Sequence, residues 1–246
     1  MKNSFFYQNP LANIYAKPSI NAEIISQILY GEKFKILKKK KNWLKIKTSY
    51  DNYVGYLKNE KLTSQFKPTH KVYKLNTKIF KKIKNKFIAT KKILFFASKV
   101  SITNFDDKFA QFKKNGWVKK NDLKRVSYYE KNFFKILKLF LDTKYLWGGK
   151  TSNGIDCSAL IQNFFFFNNM YFPRDTKDQI IFLRKIGNPH LYKKDNLLYW
   201  KGHVAICLNN IFLIHAYGPK KKVIIMRIDS TIKEIKKNTN LQLKLI

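Results

Sequence analysis

The spacing of apolar residues changes near Ser127, and this change limits the folds open to the chain. Before Ser127, segments such as "EKFKILKKKKNWLKIKT" alternate apolar and polar residues, which is the period of half-buried strands. After it, "SYYEKNFFKILKLFLDTKY" carries apolar residues at helical spacing. Beyond Pro189, strand patterns return in "HVAICL", "IFLIHAY" and "KVIIMRI". An all-β half followed by helices and a further antiparallel sheet predicts an α+β protein.

The first half contains an internal echo that indicates two related β units. Gly55–Lys58 reads glycine, aromatic, aliphatic, lysine, and Gly116–Lys119 repeats that order. A leucine follows each segment at the same offset, at Leu62 and at Leu123. With "TSQFKPTH" as the linker, the echo predicts small all-β units at 1–66 and 67–126, and a third domain at 127–246.

The third domain is predicted to begin with two helices. Ser127 and Glu130, three residues apart, fit a capping box for the first helix. The second helix is predicted to begin near Cys157, and Asn168-Asn169 marks its end. Helices followed by strands in one domain indicate helices packed on an antiparallel sheet.

Charge is the strongest compositional signal in the chain. Lysine and arginine number 50 against 15 acidic residues, so the formal net charge is +35. Few of these cations are arginine, whose planar fork binds phosphate bidentately. The abundant Lys, Asn, Ile, Phe and Tyr all have A/T-rich codons, so we attribute the charge to nucleotide composition. We predict no specific nucleic-acid partner, with a salt-sensitive polyanion binder as one alternative.

Size, hydropathy and cysteine content exclude several protein classes. A hydrophobic content of 45% in 246 residues excludes global disorder. The apolar runs are too short to span a bilayer and the N-terminus reads as no secretory signal, so we expect no membrane span and a cytoplasmic location. The two cysteines, Cys157 and Cys207, exclude a disulfide framework and a zinc finger, and a single bridge between them is not favoured.

The stretch "YLWGGKTSNGIDCSALIQ" places Cys157 after a glycine-rich turn and at the start of an apolar run. Asp156 is suited to cap a helix that begins at this cysteine. A helix N-terminus lowers the pKa of a thiol there, and its backbone N–H groups can hold a developing oxyanion. The residues therefore indicate a cysteine nucleophile, whereas Cys207, inside a strand, is predicted to be a core residue.

A thiolate hydrolase also needs a base and a group that orients the base. His203 begins one predicted strand and His215 closes the next. If the loop is Leu208–Asn210, Cys207 pairs with Ile211 and His203 pairs with His215, whereas a two-residue loop puts the rings on opposite faces. His203 would then be the base and His215 its orienting partner. From spacing alone, an imidazole pair and two buried core histidines both remain open.

Several blocks taken together resemble a known family: the Cys157 stretch, "PRDTKDQ", "YWKGHVAICL" and "FLIHA", in that order. They are similar to the NlpC-type cell-wall endopeptidases, papain-like cysteine peptidases that cleave peptidoglycan peptides. The resemblance covers about residues 128–246. It implies that Cys157 is the nucleophile, His203 the general base and His215 the third member of a triad, with no metal or organic cofactor.

The order of domains is similar to a subgroup with SH3-like barrels before the peptidase domain, the γ-D-glutamyl-L-diamino acid endopeptidases, also called dipeptidyl-peptidase VI. This resemblance implies two SH3-like barrels followed by a papain-like α+β domain. The implied substrate is a murein peptide, L-Ala-γ-D-Glu-diamino acid, with a free N-terminal amine, cut after D-Glu. A requirement for a free amine suits peptide recycling better than cleavage of the intact wall.

The resemblance also implies substrate-binding residues. Asp156 and Ser158 would bind the α-amine, Tyr53 of the first barrel would close the site, and Trp147 belongs to the same motif. Arg174 is a candidate for a substrate carboxylate. A structural pair of Arg174 with Asp175 or Asp178 remains an alternative.

The chain departs from the family pattern at a few positions. Ala159 and Ala205 stand where glycine is usual, and "KKDNLLYW" replaces a usual Gly-Asp strand start. An alanine methyl group is a small change, so we expect retained activity. Two other functions remain open: an amidase or acyltransferase on the same fold, and a non-catalytic protein that binds cell-wall fragments.

Overall fold

The computed structural model describes residues 4–60, 62–186 and 194–243. The chain divides into two compact units, Met1–Tyr129 and Glu130–Ile246. The first unit is built from strands and the second from helices and an antiparallel sheet, so the predicted α+β class is confirmed. None of the helices in these described ranges is both long and apolar enough to cross a membrane.

Short strands joined by tight turns make up the first unit. They are β1 Ser4–Tyr7, β2 Leu11–Tyr15, β3 Ile24–Leu29, β4 Lys33–Lys40, β5 Trp43–Thr48, β6 Val54–Lys58, β7 Leu62–Thr63, β8 His70–Val72, β9 Asn76–Ile83, β10 Lys86–Phe95, β11 Lys99–Val100, β12 Asn104–Phe105, β13 Phe109–Lys113, β14 Gly116–Lys119 and β15 Leu123–Arg125. The two echo segments form equivalent elements, since Gly55–Lys58 lies in β6 and Gly116–Lys119 is β14.

Within the described residues these strands form separate antiparallel sheets. The first sheet has its own core, and the two later sheets share a second core, which includes Val72, Ile79 and Val118. The order in the first sheet is β3-β2-β6-β5-β4-β1-β7, and the later strands form sheets β10-β9-β14-β13-β12 and β11-β8-β15. The first sheet encloses Tyr7, Ile14, Ile28, Phe34, Leu44, Ile46 and Leu57. Two cores agree with two β units, and the boundaries at 66 and 126 stay a prediction.

The turn after β3 joins the two sheet systems of the first unit. The side chain of Tyr30 packs in the second core, edge-on to Phe112 at a ring-centroid distance of 5.4 Å. The backbone carbonyl of Tyr30 accepts a hydrogen bond from the N–H of Lys99 at 3.0 Å. Gly31 follows with a φ of +76° and lies so close to Lys99 that a Cβ atom would stand 2.1 Å from its carbonyl oxygen.

We expect Gly31→Ala to lower the free energy of unfolding by about 2 kcal/mol or more, because it adds a backbone clash to the strain of a positive φ. Gly202→Ala is the matched control: its φ is +79°, and a Cβ atom there meets nothing within 4 Å. Urea unfolding of both variants separates the clash from the strain. Equal losses in the two variants would show that a clash between the added Cβ atom and the Lys99 carbonyl does not contribute to the loss of stability.

The second unit combines helices with a four-stranded sheet. Its elements are α1 Phe133–Leu137, β16 Lys150–Thr151, β17 Gly154–Ile155, α2 Cys157–Phe167, α3 Thr176–Ile186, β18 Leu197–Trp200, β19 His203–Cys207, β20 Phe212–Tyr217, β21 Lys222–Arg227 and α4 Ile228–Thr239. The sheet order is β18-β19-β20-β21, all antiparallel. Helix α2 packs against β19 and β20.

An apolar cluster holds α4 to one face of this sheet. Its strand members include Trp200, Ala205 and Tyr217, and its α4 members are Ile228 and Ile235. Cys207 also lies in this cluster and is fully buried, which confirms its prediction as a core residue. No disulfide joins Cys207 to Cys157, since both thiols are free.

The start of the first helix differs from the prediction. Helix α1 begins at Phe133, and its N-cap is Asn132, whose side chain accepts a hydrogen bond from the N–H of Lys135 at 3.2 Å. The capping box of Ser127 and Glu130 is therefore wrong. Glu130 lies before the helix, where its own N–H donates to the side chain of Asn168 at 2.9 Å.

Candidate active site

A glycine-rich segment that includes the short hairpin of β16 and β17 leads into the N-terminus of α2. Strands β16 and β17 pair Lys150 with Ile155, which turns the chain back just before Asp156. Gly149 has no room for a side chain, because a Cβ atom would lie 2.3 Å from the carbonyl oxygen of Gly154. The hairpin therefore fixes the direction in which the chain enters the helix, with Cys157 as its first residue.

Asp156 is the N-cap of α2, as predicted, and its carboxylate is the centre of a buried network. Oδ1 accepts from the N–H of Ala159 at 2.8 Å and from the hydroxyl of Ser158 at 3.1 Å. Oδ2 accepts from the N–H of Gly148 at 3.0 Å. These bonds join the glycine turn to the first turn of the helix through one side chain.

Arg174 completes this network. Its Nη1 donates to Asp156 Oδ1 at 3.0 Å and its Nη2 to Oδ2 at 2.6 Å, which is a bidentate pair. Nη1 also donates to the hydroxyl of Ser158 at 2.8 Å. The side chains of Arg174 and Asp156 are 1% and 6% exposed, so water screens the pair little.

The sulfur of Cys157 lies against the start of β19. Sγ is 3.9 Å from the carbonyl oxygen of Gly202, and Sγ accepts a hydrogen bond from the N–H of Val204. The thiol therefore touches the backbone on both sides of His203. Burial raises the pKa of the Cys157 thiol to about 12, and the carboxylate of Asp156 adds to this shift.

This direction is opposite to the prediction of a lowered thiol pKa at the helix N-terminus. The N–H groups of Val204 and Ser158 and the Arg174 guanidinium do favour the thiolate. Their effect is smaller than the cost of removing the thiolate from water, because the side chain is almost completely enclosed. The resting state of Cys157 is therefore the neutral thiol.

The two histidines lie on neighbouring strands and their rings meet. His203 Nε2 and His215 Nδ1 are 2.9 Å apart, which is a hydrogen bond. His215 is fully buried, and removal from water lowers its pKa well below the usual value. Burial also lowers the pKa of His203 to about 4. Both rings are therefore neutral near pH 7, with one N–H each.

The rings meet through a different strand register from the predicted one. Cys207 pairs with Leu213, not Ile211, so the residue opposite His215 is Ala205. The turn is Asn209–Ile211, because the side chain of Asn209 accepts from the N–H groups of Ile211 and Phe212. The shift is two residues, and a shift of two keeps side chains on the same face. The predicted pairing is wrong, but the predicted common face is right.

Tyr217 fixes the plane of the second ring. Its ring stacks on His215 with a centroid distance of 4.6 Å and an interplanar angle of 11°. It also lies 5.6 Å from the ring centroid of His203. Tyr217 and Ala205 belong to the cluster under α4, so the core of the domain holds the imidazole pair in place.

Tyr145 was not among the predicted site residues, yet it lies near enough to the nucleophile to respond to its charge. Burial raises the pKa of the Tyr145 phenol, and the nearby Cys157 and Asp156 raise this pKa further, so the phenol stays protonated. Its place as the first residue of the glycine-rich stretch was the signal that could have identified it.

The other predicted substrate-binding residues have different surroundings. Trp147 directly precedes Gly148 in the network of Asp156, and 55% of its surface is exposed. Tyr53 lies in the first unit, where its hydroxyl donates to the carbonyl of Ile25 at 3.4 Å. In the described part of the chain, no three His, Cys, Asp or Glu side chains form a group that could hold a metal ion.

Both parts of the chain match known domain families. Residues 14–62 match the bacterial dipeptidyl-peptidase SH3 domain, and residues 142–240 match the NlpC/P60 family. Dipeptidyl-peptidase 6 of Lysinibacillus sphaericus is 25% identical over 233 residues, which is 84% of each chain. A probable endopeptidase NlpC homolog of Haemophilus influenzae is 34% identical over 89 residues, covering 35% of this chain and 49% of that protein.

Solved structures show the same fold. A NlpC/P60 family protein from Bacillus cereus superposes with a TM-score of 0.75 at 16% identity, over 92% of this chain and 94% of that one. An NlpC/P60 endopeptidase from Photobacterium damselae subsp. piscicida has a TM-score of 0.62 at 15% identity, covering 99% and 70%. The chain thus carries an N-terminal SH3 region of the bacterial dipeptidyl-peptidase type and, after it, a domain of the NlpC/P60 cysteine peptidase family.

Proposed function

We propose that this protein is a cysteine endopeptidase that cleaves the γ-D-Glu–diamino acid bond of murein peptides with a free N-terminal L-Ala. The observation that carries the proposal is the arrangement around β19. The sulfur of Cys157 lies against the backbone on both sides of His203, and the ring of His203 is hydrogen-bonded to the ring of His215. A thiol, a base and a group that orients the base are the parts that acyl transfer requires.

The pKa directions define how the thiol is activated in this mechanism. Cys157 rests as a thiol and His203 as a neutral imidazole, so the thiolate is not formed in advance. The proton passes from Sγ to His203 as the sulfur attacks the γ-carbonyl carbon. Since Nε2 of His203 is engaged with His215, Nδ1 is the nitrogen that takes this proton.

The remaining steps use the same groups. Backbone N–H groups at the start of α2, including that of Cys157, stabilise the oxyanion of the tetrahedral intermediate. The imidazolium of His203 protonates the departing amine of the diamino acid, which leaves a thioester on Cys157. His203 then takes a proton from water, the hydroxide attacks the thioester carbonyl and releases the L-Ala-D-Glu product, and the imidazolium returns its proton to the departing sulfur to restore the thiol.

The substrate part of the proposal is supported by the relatives. The name of the L. sphaericus protein, dipeptidyl-peptidase 6, describes release of a dipeptide, and the matched SH3 domain carries a dipeptidyl-peptidase description. An enzyme that releases a dipeptide recognises the free N-terminus of its substrate and cleaves after the second residue. We place the reaction in the cytoplasmic recycling of murein peptides, which have such an end.

The Asp156 network constrains how the amine is recognised. Asp156 and Ser158 remain the proposed amine-binding residues, yet Arg174 already neutralises the carboxylate of Asp156. We therefore propose that the ion pair of Asp156 with Arg174 holds Ser158 and the first turn of α2 in position to bind the amine. Hydrogen bonds then contribute more to the affinity for the amine than the net charge of the pair does. Roles for Tyr53 and Trp147 in closing and lining the site stay predictions.

The proposed substrate predicts a clear preference between two peptides. The protein is incubated with L-Ala-γ-D-Glu-diaminopimelate and with its N-acetylated copy, and products are identified by mass spectrometry. We expect release of L-Ala-D-Glu from the free peptide and at least about 100-fold slower cleavage of the acetylated one, because acetylation removes an ammonium and adds bulk. Equal rates would exclude recognition of the amine, and transfer of the acyl group to an added amine in place of water would indicate an acyltransferase.

A further inference from the structure

The side of His215 that faces away from His203 is in contact with a methionine. His215 Nε2 lies 3.3 Å from Sδ of Met226, within hydrogen-bonding distance for sulfur. Strands β20 and β21 pair Leu213 with Met226 and His215 with Ile224, so Met226 is a diagonal neighbour of His215 on the same face. Met226 also packs against the apolar cluster beneath α4, which holds its side chain in position.

A thioether sulfur can accept a hydrogen bond but has no proton to donate. The neutral ring of His215 carries one N–H, on either Nδ1 or Nε2. With the proton on Nε2, the N–H points to Sδ of Met226 and is satisfied. With the proton on Nδ1, the lone pair of Nε2 faces the lone pairs of the sulfur, and a buried nitrogen is left without a donor.

The tautomer that Met226 favours in His215 also determines the tautomer of His203, because the two rings share a hydrogen bond. If Nε2 of His215 carries the proton, its Nδ1 is an acceptor. The partner at 2.9 Å, Nε2 of His203, must then be the donor. The single proton of neutral His203 is therefore on Nε2, and its Nδ1 is a lone pair. In the opposite arrangement, Nδ1 of His203 carries a proton and cannot accept the one from the thiol.

We propose that Met226 is a positioning residue that selects the base-competent tautomer of His203, acting through His215. This inference rests on the proposed function, in which Nδ1 of His203 accepts the thiol proton. Met226 does not touch the reacting atoms. Its contribution is a weak hydrogen bond at the end of the relay formed by the two imidazoles, where only one of two proton arrangements gives both nitrogens of the buried His215 ring a hydrogen bond.

The experiment reads the tautomers directly in the full-length protein labelled with ¹⁵N-histidine. Ring nitrogens with and without a proton have well-separated ¹⁵N shifts, and His215→Asn and His203→Asn variants assign the signals. In the wild type we expect protonated Nε2 and unprotonated Nδ1 in both rings. Protonated Nδ1 in either ring of the wild type would overturn the proposal, whatever the variants of Met226 do.

Two variants test the role of the sulfur. Met226→Leu keeps the bulk and removes the acceptor, so we expect a mixture of tautomers in both rings. Met226→Gln restores an acceptor through its amide oxygen and should return the wild-type pattern. Met170→Leu is the matched control, because Met170 is 38% exposed and lies outside the pair of strands that carry His215 and Met226. A wild-type pattern in Met226→Leu would overturn the proposal.

A second measurement follows the base itself without relying on a substrate. We expect alkylation of Cys157 by iodoacetamide at pH 7 to slow by about threefold to tenfold in Met226→Leu and to recover in Met226→Gln. Peptide mapping separates Cys157 from Cys207. If the protein does not cleave the murein tripeptide, the proposed function fails while both measurements still decide the role of Met226. Alkylation at the wild-type rate in Met226→Leu would contradict it.

Discussion

Cys157→Ser is expected to lower kcat/KM for L-Ala-γ-D-Glu-diaminopimelate by about 10⁴-fold or more, as is typical when a nucleophile is removed from a catalytic unit. A serine hydroxyl is a far weaker acid than a thiol, and its oxygen is a poorer nucleophile than sulfur, so it gives up its proton to His203 much less readily during attack on the carbonyl carbon. Steady-state rates of diaminopimelate release, with urea unfolding to confirm an intact fold, measure the effect.

Cys207→Ala is the matched control for loss of a thiol. Cys207 lies in the cluster under α4 and is fully buried, so the change leaves a small cavity without touching the sulfur of Cys157. We expect a cost of about 1 kcal/mol in stability and activity within about twofold of the wild type. Turnover by Cys157→Ser near the native rate would exclude Cys157 as the nucleophile.

The second large effect is expected from Arg174→Met, which we predict to lower the free energy of unfolding by about 3–5 kcal/mol. The change keeps an apolar stem but leaves the carboxylate of Asp156 buried without its bidentate partner. Such a carboxylate either stays charged at a high desolvation cost or takes up a proton and weakens its bonds to the helix N–H groups. Urea unfolding at pH 7 measures the loss.

Two further variants separate the ion pair from a general effect of losing arginine. Asp156→Asn combined with Arg174→Met removes both charges, so the double variant should be more stable than the sum of the single losses predicts. Arg184→Met on the exposed surface of α3 should change stability by less than about 0.5 kcal/mol. A loss below about 1 kcal/mol in Arg174→Met would show that the pair contributes little to the fold.

Local sequence was sufficient to predict the start of the key helix. Asp156 is a residue type whose side chain caps helices, and its bond to the N–H of Ala159 needs only residues within one turn. The bidentate pair with Arg174 was not predictable in the same way. Its partners are 18 positions apart, and the sequence offered Asp175 and Asp178 as nearer acids. Only the fold shows which carboxylate meets the guanidinium.

The hairpin shows how a register can be wrong while its consequence is right. The sequence placed the turn one residue too early, because Asn209-Asn210 was taken as its centre and Ile211 as the first strand residue. In the fold, the side chain of Asn209 draws the N–H of Ile211 into the turn. Both versions leave an odd number of loop residues, so His203 and His215 stay on the same face.

The helix α4 and the thiol pKa were missed for different reasons. The segment Ile228–Thr239 has three isoleucines and three lysines among other polar residues, so its short buried side, with Ile228 and Ile235, is a weak helix signal in the sequence. The direction of the pKa shift depends on how much of Cys157 the fold encloses. Capping and dipole arguments describe only the N–H groups, whereas burial is a property of the whole domain.

The position of Tyr30 has a consequence for dissecting this protein into pieces. Its ring packs against Phe112 and among residues of the later sheets, and its carbonyl is bonded to Lys99. A fragment that ends near residue 66 would lack the residues that cover Tyr30, so this aromatic side chain would be exposed to water as part of an apolar surface. We therefore expect such a fragment to precipitate or self-associate, while one ending at 129 should remain monodisperse in size-exclusion chromatography.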